Sequence, residues 1–182
     1  MSDPVSALNG ASFNGFATIR EVGPLGMISL RHKGGAALTK AIKAAVGTKV
    51  PAQRKIEVAG DKACGWMSPD EYLLVLPYGE VGAAMAALAK ALDGEHHLAA
   101  DVSDARAVFR VEGDKADQVL AKLSPVDFAT LEPGELRRSR AAQVAAAMWA
   151  QDGGFTVVCF RSVAVYVMGL LTHSAQPGSE LA

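Results

Sequence analysis

One pattern occurs twice in this chain, with the copies 81 to 83 residues apart. At a shift of 81, Ile28 and Leu30 fall on Phe109 and Val111, and Leu38 and Ile42 fall on Val119 and Leu123. At 83, Trp66 falls on Trp149, Tyr72 on Phe155 and Leu74 on Val157, and the basic pair Arg54-Lys55 falls on Arg137-Arg138. Each half therefore reads strand, helix, strand, hairpin, strand, helix. Solenoid repeats usually run about 20–50 residues, so stacking of short units is excluded. The pattern predicts an α+β fold of two pseudo-repeated modules, with largely antiparallel sheets and flanking helices. Two unrelated amphipathic segments can match through periodicity alone; the paired tryptophans favour a true repeat. The implied division is an extended N-terminal arm at 1–25, a first module at 26–103, a second at 104–173 and a flexible tail at 174–182, the modules packing as one unit.

Local signals fill in this frame. Met27, Ile28 and Leu30 suit a short strand at Gly26–Lys33. Leu38, Ile42 and Val46 stand at i, i+4 and i+8 and predict a helix over 36–46, stopped by Gly47. A Ser68-Pro69-Asp70 turn precedes a strand at Glu71–Leu76, and Val81, Met85, Leu88 and Leu92 stripe a helix at 80–92. Strands at 98–102 and 105–111 are joined by Ser103-Asp104. Asp114 has the chemistry of an N-cap for a helix carrying Val119, Leu120 and Leu123. A Val-rich strand at Phe155–Phe160 leads to a last helix capped by Ser162, with Val163, Val167, Leu170 and Leu171 inward. Leu136–Ala150 is Ala-rich, which favours helix, yet the repeat aligns it with 53–67 and makes it the long leading strand of a hairpin. Gln151-Asp152-Gly153-Gly154 then supplies the turn. Residues 1–25 show no period; Phe13, Phe16 and Ile19 are the anchors of an arm expected to be ordered by some other body.

Charge and composition exclude several classes. Eighteen Lys and Arg against nineteen Asp and Glu leave a net charge of -1, giving no electrostatic case for nucleic acid or anionic membrane. The longest apolar run, about nine residues at 163–171, is half of the roughly twenty a spanning helix needs. The start Met-Ser-Asp-Pro lacks the features of a secretory signal. Two cysteines build no disulfide framework and suit a reducing compartment, so a cytoplasmic protein is expected. Alanine is frequent and aromatics are only 6%. Small side chains bury little area each, so this core is expected to lean on a partner.

No catalytic constellation emerges from the residues. His96-His97 are adjacent and point to opposite faces of a strand, which disfavours a shared metal; His32 and His173 are isolated. Cys159 lies in an apolar strand, where a thiol is inert, while Cys64 is expected near a turn and exposed. Lys33-Gly34-Gly35-Ala36 opens a helix but matches no phosphate-loop motif, and a tight turn explains it better. Arg137, Arg138 and Arg140 are the densest basic group. They suit either a carboxylate-rich partner surface or phosphate, or a strand edge protected by charge. Asp101, Asp104 and Arg106 cluster at the link between two strands, where turn capping and a local ion pair are the simpler roles.

The stretch Asp101-Val-Ser-Asp-Ala-Arg106, Val108-Phe-Arg-Val-Glu-Gly113-Asp114 and Val119-Leu120 resembles a segment of the folate-binding aminomethyltransferase family, which includes the glycine-cleavage T-protein. Further pieces are similar to one branch, the gamma-subunit family of heterotetrameric sarcosine oxidases. They are Gly65-Trp66-Met-Ser-Pro-Asp-Glu71-Tyr-Leu-Leu, His97-Leu-Ala-Ala-Asp101-Val-Ser103, Ser124-Pro125-Val-Asp127, Pro133-Gly134, Arg138-Ser139 and Trp149. The likeness covers most of 25–173 and implies a T-protein-like fold. It further implies a cytoplasmic complex that oxidatively demethylates sarcosine to glycine and hydrogen peroxide, and with tetrahydrofolate yields 5,10-methylenetetrahydrofolate. In that family FAD, FMN, NAD and the amine-oxidising residues belong to the alpha and beta subunits, and zinc to delta. The gamma subunit is non-catalytic, serves assembly and stability, and is held chiefly against alpha. One departure separates the chain from the T-protein. The relative's hairpin strand carries an aspartate that engages folate and amine; residues 141–151 here read Ala-Ala-Gln-Val-Ala-Ala-Ala-Met-Trp-Ala-Gln, without a carboxylate. The competing readings are a free-standing folate-binding module and a homo-oligomeric scaffold.

Overall fold

The computed structural model describes residues 4–181. The chain opens with β1 (Ser12–Asn14) and β2 (Thr18–Val22), an antiparallel pair, and runs on into β3 (Leu25–Arg31). Then follow α1 (Ala36–Val46), β4 (Ile56–Ala59), β5 (Lys62–Ser68), β6 (Glu71–Pro77), α2 (Val81–Ala91) and β7 (Leu98–Asp101). The remainder holds β8 (Arg106–Glu112), α3 (Ala116–Ala121), β9 (Leu136–Ala141), β10 (Val144–Gln151), β11 (Gly154–Phe160) and α4 (Ala164–Ser174). These elements form two units. One is Leu25–Ser103; the other combines the described parts of Met1–Pro24 and Asp104–Ala182. The fold is mixed α/β with antiparallel sheets throughout. No helix among the described residues is long and apolar enough to cross a membrane.

In the unit Leu25–Ser103 the strand order is β4-β5-β6-β3-β7. Helix α1 forms because Leu38, Ala41, Ile42, Ala45 and Val46 make one apolar face, all buried, while Lys40 and Lys43 stay outside. Gly47 ends it in the left-handed conformation (φ 75°), its N–H donating to the Lys43 carbonyl at 3.1 Å. That face meets Ile28 and Leu30 of β3, Leu74 of β6 and Leu88 and Leu92 at α2, all fully shielded. Each such aliphatic side chain stabilises the fold by about 1.5–3 kcal/mol.

In the other unit the order is β1-β2-β8-β11-β10-β9. Ile19, Phe109, Val111, Met148, Phe155 and Val157 line one sheet face, covered by Val119 and Leu120 of α3 and Val167 and Leu171 of α4. Within 1–25, expected as an arm ordered by some other body, β2 instead pairs with β8 of the same chain, Ile19 standing opposite Val111, and β1 pairs with β2. The carboxylate of Glu21, itself buried, collects the preceding loop, accepting from Ser6 Oγ and Gly10 N at 2.8 Å and Leu8 N at 3.3 Å. At the far end of the chain, Lys122 Nζ donates to the Ser174 carbonyl at 2.7 Å and to both oxygens of Ser179.

A shift of 81 carries Leu25–Arg31 onto Arg106–Glu112. A shift of 83 carries Glu71–Pro77 onto Gly154–Phe160 and Val81–Ala91 onto Ala164–Ser174. Other expectations are corrected. Leu136–Ala150 is not one long strand; a turn at Ala142-Gln143 breaks it into β9 and β10. Asp114 does not cap α3: Lys115 holds the N-cap position, and the Ala116 N–H that a cap would take already donates to the Gly113 carbonyl. Ser162 lies inside the 3-10 turn Arg161–Val163 and caps nothing, and Leu170 is half-buried.

Candidate functional site

The residues singled out by sequence fall in three places. Asp101 ends β7, where its Oδ1 accepts from Ser103 N at 3.0 Å and Ser103 Oγ at 2.5 Å; Ser103 Oγ in turn accepts from Met27 N at 3.0 Å. That is a turn stitched to its own sheet. Asp104 and Arg106 belong to the other unit, Asp104 exposed and Arg106 with its guanidinium 4.1 Å from the centre of the Phe160 ring. Arg137, Arg138 and Arg140 lie together on β9, an edge strand of the six-stranded sheet. Arg137 donates to the Leu136 carbonyl and pairs with Glu135 at 3.5 Å, while Arg138 and Arg140 are exposed.

Neither cysteine is poised to react. Cys64 is fully buried, contrary to the expectation of exposure, and burial pushes its thiol up to about 12, with the charge of Glu57 adding to the shift. Burial lifts Cys159 to about 11, opposed by the charge of Arg106. Both thiols keep their protons at neutral pH. His32 is buried and accepts the Gly34 N–H at 3.0 Å, so this amide of the Gly-Gly turn already has its partner. No group of three or more His, Cys, Asp or Glu among the described residues is placed to hold a metal.

A polar row that sequence reading missed crosses one end of the six-stranded sheet. Arg20, Arg110 and Thr156 are register partners on β2, β8 and β11, and Thr156 faces Trp149 of β10. Arg110 pairs with Glu112 at 3.3 Å, donates to Thr156 Oγ1 at 3.0 Å and reaches the Asp152 carbonyl at 3.4 Å. Thr156 Oγ1 donates to Gln151 Oε1 at 2.7 Å, and Trp149 Nε1 donates to the same oxygen at 3.2 Å. Arg20 closes on Glu112 at 3.4 Å. Paired with one another, these groups tie four strands together. The available signal was the alternation of Phe109, Arg110, Val111 and Glu112, with polar residues recurring on one face.

Beside this row lies a cleft of about 670 Å³ lined by Asp114, Asp117, Phe128, Leu131, Gln151 and Phe155 among others. Phe128 and Phe155 meet edge-on at 5.4 Å in its wall.

Comparison with known proteins gives one direction. Residues 32–175 match the profile of the sarcosine oxidase gamma subunit family. The sarcosine oxidase subunit gamma of Arthrobacter sp is 35% identical over 125 residues, covering 67% of this chain and 60% of that protein. The match thus spans about three fifths of that relative's length. A chain of the heterotetrameric sarcosine oxidase from Corynebacterium sp. U-96, solved with pyrrole 2-carboxylate, superposes with a TM-score of 0.79 at 26% identity, over 87% of this chain and 83% of that one. The glycine cleavage system aminomethyltransferase T from Bartonella henselae shares the fold, with a TM-score of 0.63 at 13% identity over 86% of this chain and 45% of that one.

Proposed function

The chain belongs to the sarcosine oxidase gamma subunit family, and from that premise we propose that it works as the gamma subunit of a heterotetrameric oxidase, serving assembly and stability while other chains perform the chemistry. The observation that carries this reading is its superposition, over most of both chains, on a chain of such an oxidase. The whole complex would convert sarcosine to glycine and hydrogen peroxide, with tetrahydrofolate receiving the one-carbon unit. Its flavins, dinucleotide and folate site would belong to the alpha and beta subunits and its zinc to delta, with alpha as the main partner of this chain.

The residues here support a scaffolding role. Both thiols are held protonated by burial. The T-protein's folate-binding carboxylate has no counterpart on β10, and the side-chain oxygen at Gln151 is occupied by Trp149 and Thr156. This strand therefore does not supply the carboxylate that folate would need. We also read the two units as copies of one duplicated module, supported by the coincidence of strand and helix bounds at shifts of 81 and 83. A duplicated scaffold would be suited to presenting surface to neighbouring chains.

The test is co-expression with the alpha, beta and delta subunits. The expected result is stoichiometric co-purification and a loss of assembled, active oxidase when this chain is omitted. An oxidase that assembles and turns over equally well without it refutes the proposal.

A further inference from the structure

We propose that the surface where β11 passes into α4 docks this chain onto another subunit of the oxidase, one presenting an apolar contact framed by carboxylates; this rests on the gamma-subunit reading above. Phe160 is 49% exposed, Val165 76% and Tyr166 47%. The 3-10 turn and first helical turn that join them advance about 10 Å, so all three share one neighbourhood. Arg161 adds a fourth apolar residue by donating to the carbonyls of Val5 at 2.9 Å and Ser6 at 3.1 Å, since Val5 is itself 59% exposed. The other exposed large apolar side chains among the described residues, Val58, Leu98 and Leu181, lie elsewhere in the sequence. A single exposed apolar residue is ordinary, but a group of them marks an interaction site.

The fold itself does not require these side chains. At a shift of 83, Phe160, Val165 and Tyr166 fall on Pro77, Gly82 and Ala83, each a smaller residue in the same strand-to-helix passage. Charge follows the same asymmetry. Arg161 falls on Tyr78, and at a shift of 81 Arg106 falls on Leu25. Only one copy therefore joins exposed apolar groups to two guanidiniums, one of them stacked on Phe160 itself. Those charges choose the occupant. A second copy meeting this patch through a two-fold axis would bring two arginine-bearing patches together, a like-charge pairing that disfavours self-association. A different subunit with carboxylates around an apolar contact pairs with both features.

The full chain is co-expressed with the alpha, beta and delta subunits, one of those tagged, and the retained amount is measured for wild type, Val165→Asp, Tyr166→Ser and Ala83→Asp. Thermal melts of each purified variant report folding. Val165→Asp and Tyr166→Ser, at exposed positions, should melt like wild type yet be retained about tenfold less or worse. Ala83→Asp, exposed at the matching site of the other copy, should be retained like wild type. Equal retention of folded Val165→Asp and Tyr166→Ser overturns the docking surface while leaving the gamma-subunit reading intact. Wild type that is never retained overturns both. A wild-type dimer in isolation that Val165→Asp converts to monomer overturns the proposal in favour of a second copy.

Discussion

Cys64 and Cys159 are both buried, in different sheets, and their burial has a measurable consequence at alkaline pH. A buried thiol resists ionising because the thiolate would lose its hydration. The native chain thus holds protons to about 12 at Cys64 and about 11 at Cys159, whereas an unfolded cysteine releases its proton near 9.0. Between those values the unfolded chain binds fewer protons than the native one, so stability falls as pH rises. The contribution is fully present below about pH 9. Urea unfolding across pH 8–11 should show this decline, shallower in Cys64→Ala; an unchanged slope in that variant would remove Cys64 as a cause. A thiol reagent at about pH 8 should label neither cysteine until the chain unfolds. Sequence alone suggested this for Cys159, whose neighbours Val158 and Phe160 are apolar. It failed for Cys64, because Gly65 and Ala63 resemble loop chemistry and the covering side chains come from distant helices.

The hairpin between β9 and β10 turns at Ala142-Gln143, with Ala142 at φ 52°. A side chain in that conformation costs about 1–2 kcal/mol, while glycine there costs about 0.4–1 kcal/mol through the greater freedom of the unfolded chain. Ala142→Gly should therefore raise stability by about 0.5–1 kcal/mol, read as a higher urea midpoint at unchanged slope; a lower midpoint would contradict the strained turn. The same residue explains why the hairpin was invisible in sequence: Ala-Gln carries none of the glycine or asparagine that marks a two-residue turn. Helices α1 and α2 were legible because their apolar stripes are regular and Gly47 and Asp93-Gly94 punctuate them. Strand β10, rich in alanine, was legible only through the repeat, since local propensity favours helix there. The caps assigned to Asp114 and Ser162 failed for a shared reason. Each helix is entered through a tighter turn whose carbonyl, from Gly113 or Arg161, already takes the amide that the side chain would have capped.

At the scale of the molecule, the strand preceding β3 and the strand preceding β8 each join the other's sheet. Strand β2 immediately precedes β3 but pairs with β8; β7 immediately precedes β8 but pairs with β3. Neighbours in sequence more often pair with each other, and this exchange is why the arm at 12–22 was not assigned to its true partner. Its energetic weight is concentrated in Ile19, fully buried opposite Val111, and in Glu21, which gathers residues 6–10 around its carboxylate. Cutting the chain between 103 and 104 tests that weight. Residues 104–182 alone would leave β8 with an open edge and the place of Ile19 empty, a condition that leads to aggregation. That fragment should be insoluble when expressed alone, recovered when 1–103 is made in the same cell, and not recovered with 25–103, as read from the soluble fraction. Rescue by 25–103 would show that β2 is dispensable to the sheet it completes. Because Val5 and the carbonyls that Arg161 holds arrive on the same N-terminal segment, loss of that segment would also dismantle one side of the docking surface at α4. Folding of the discontinuous unit and presentation of its partner-facing residues are thus a single event.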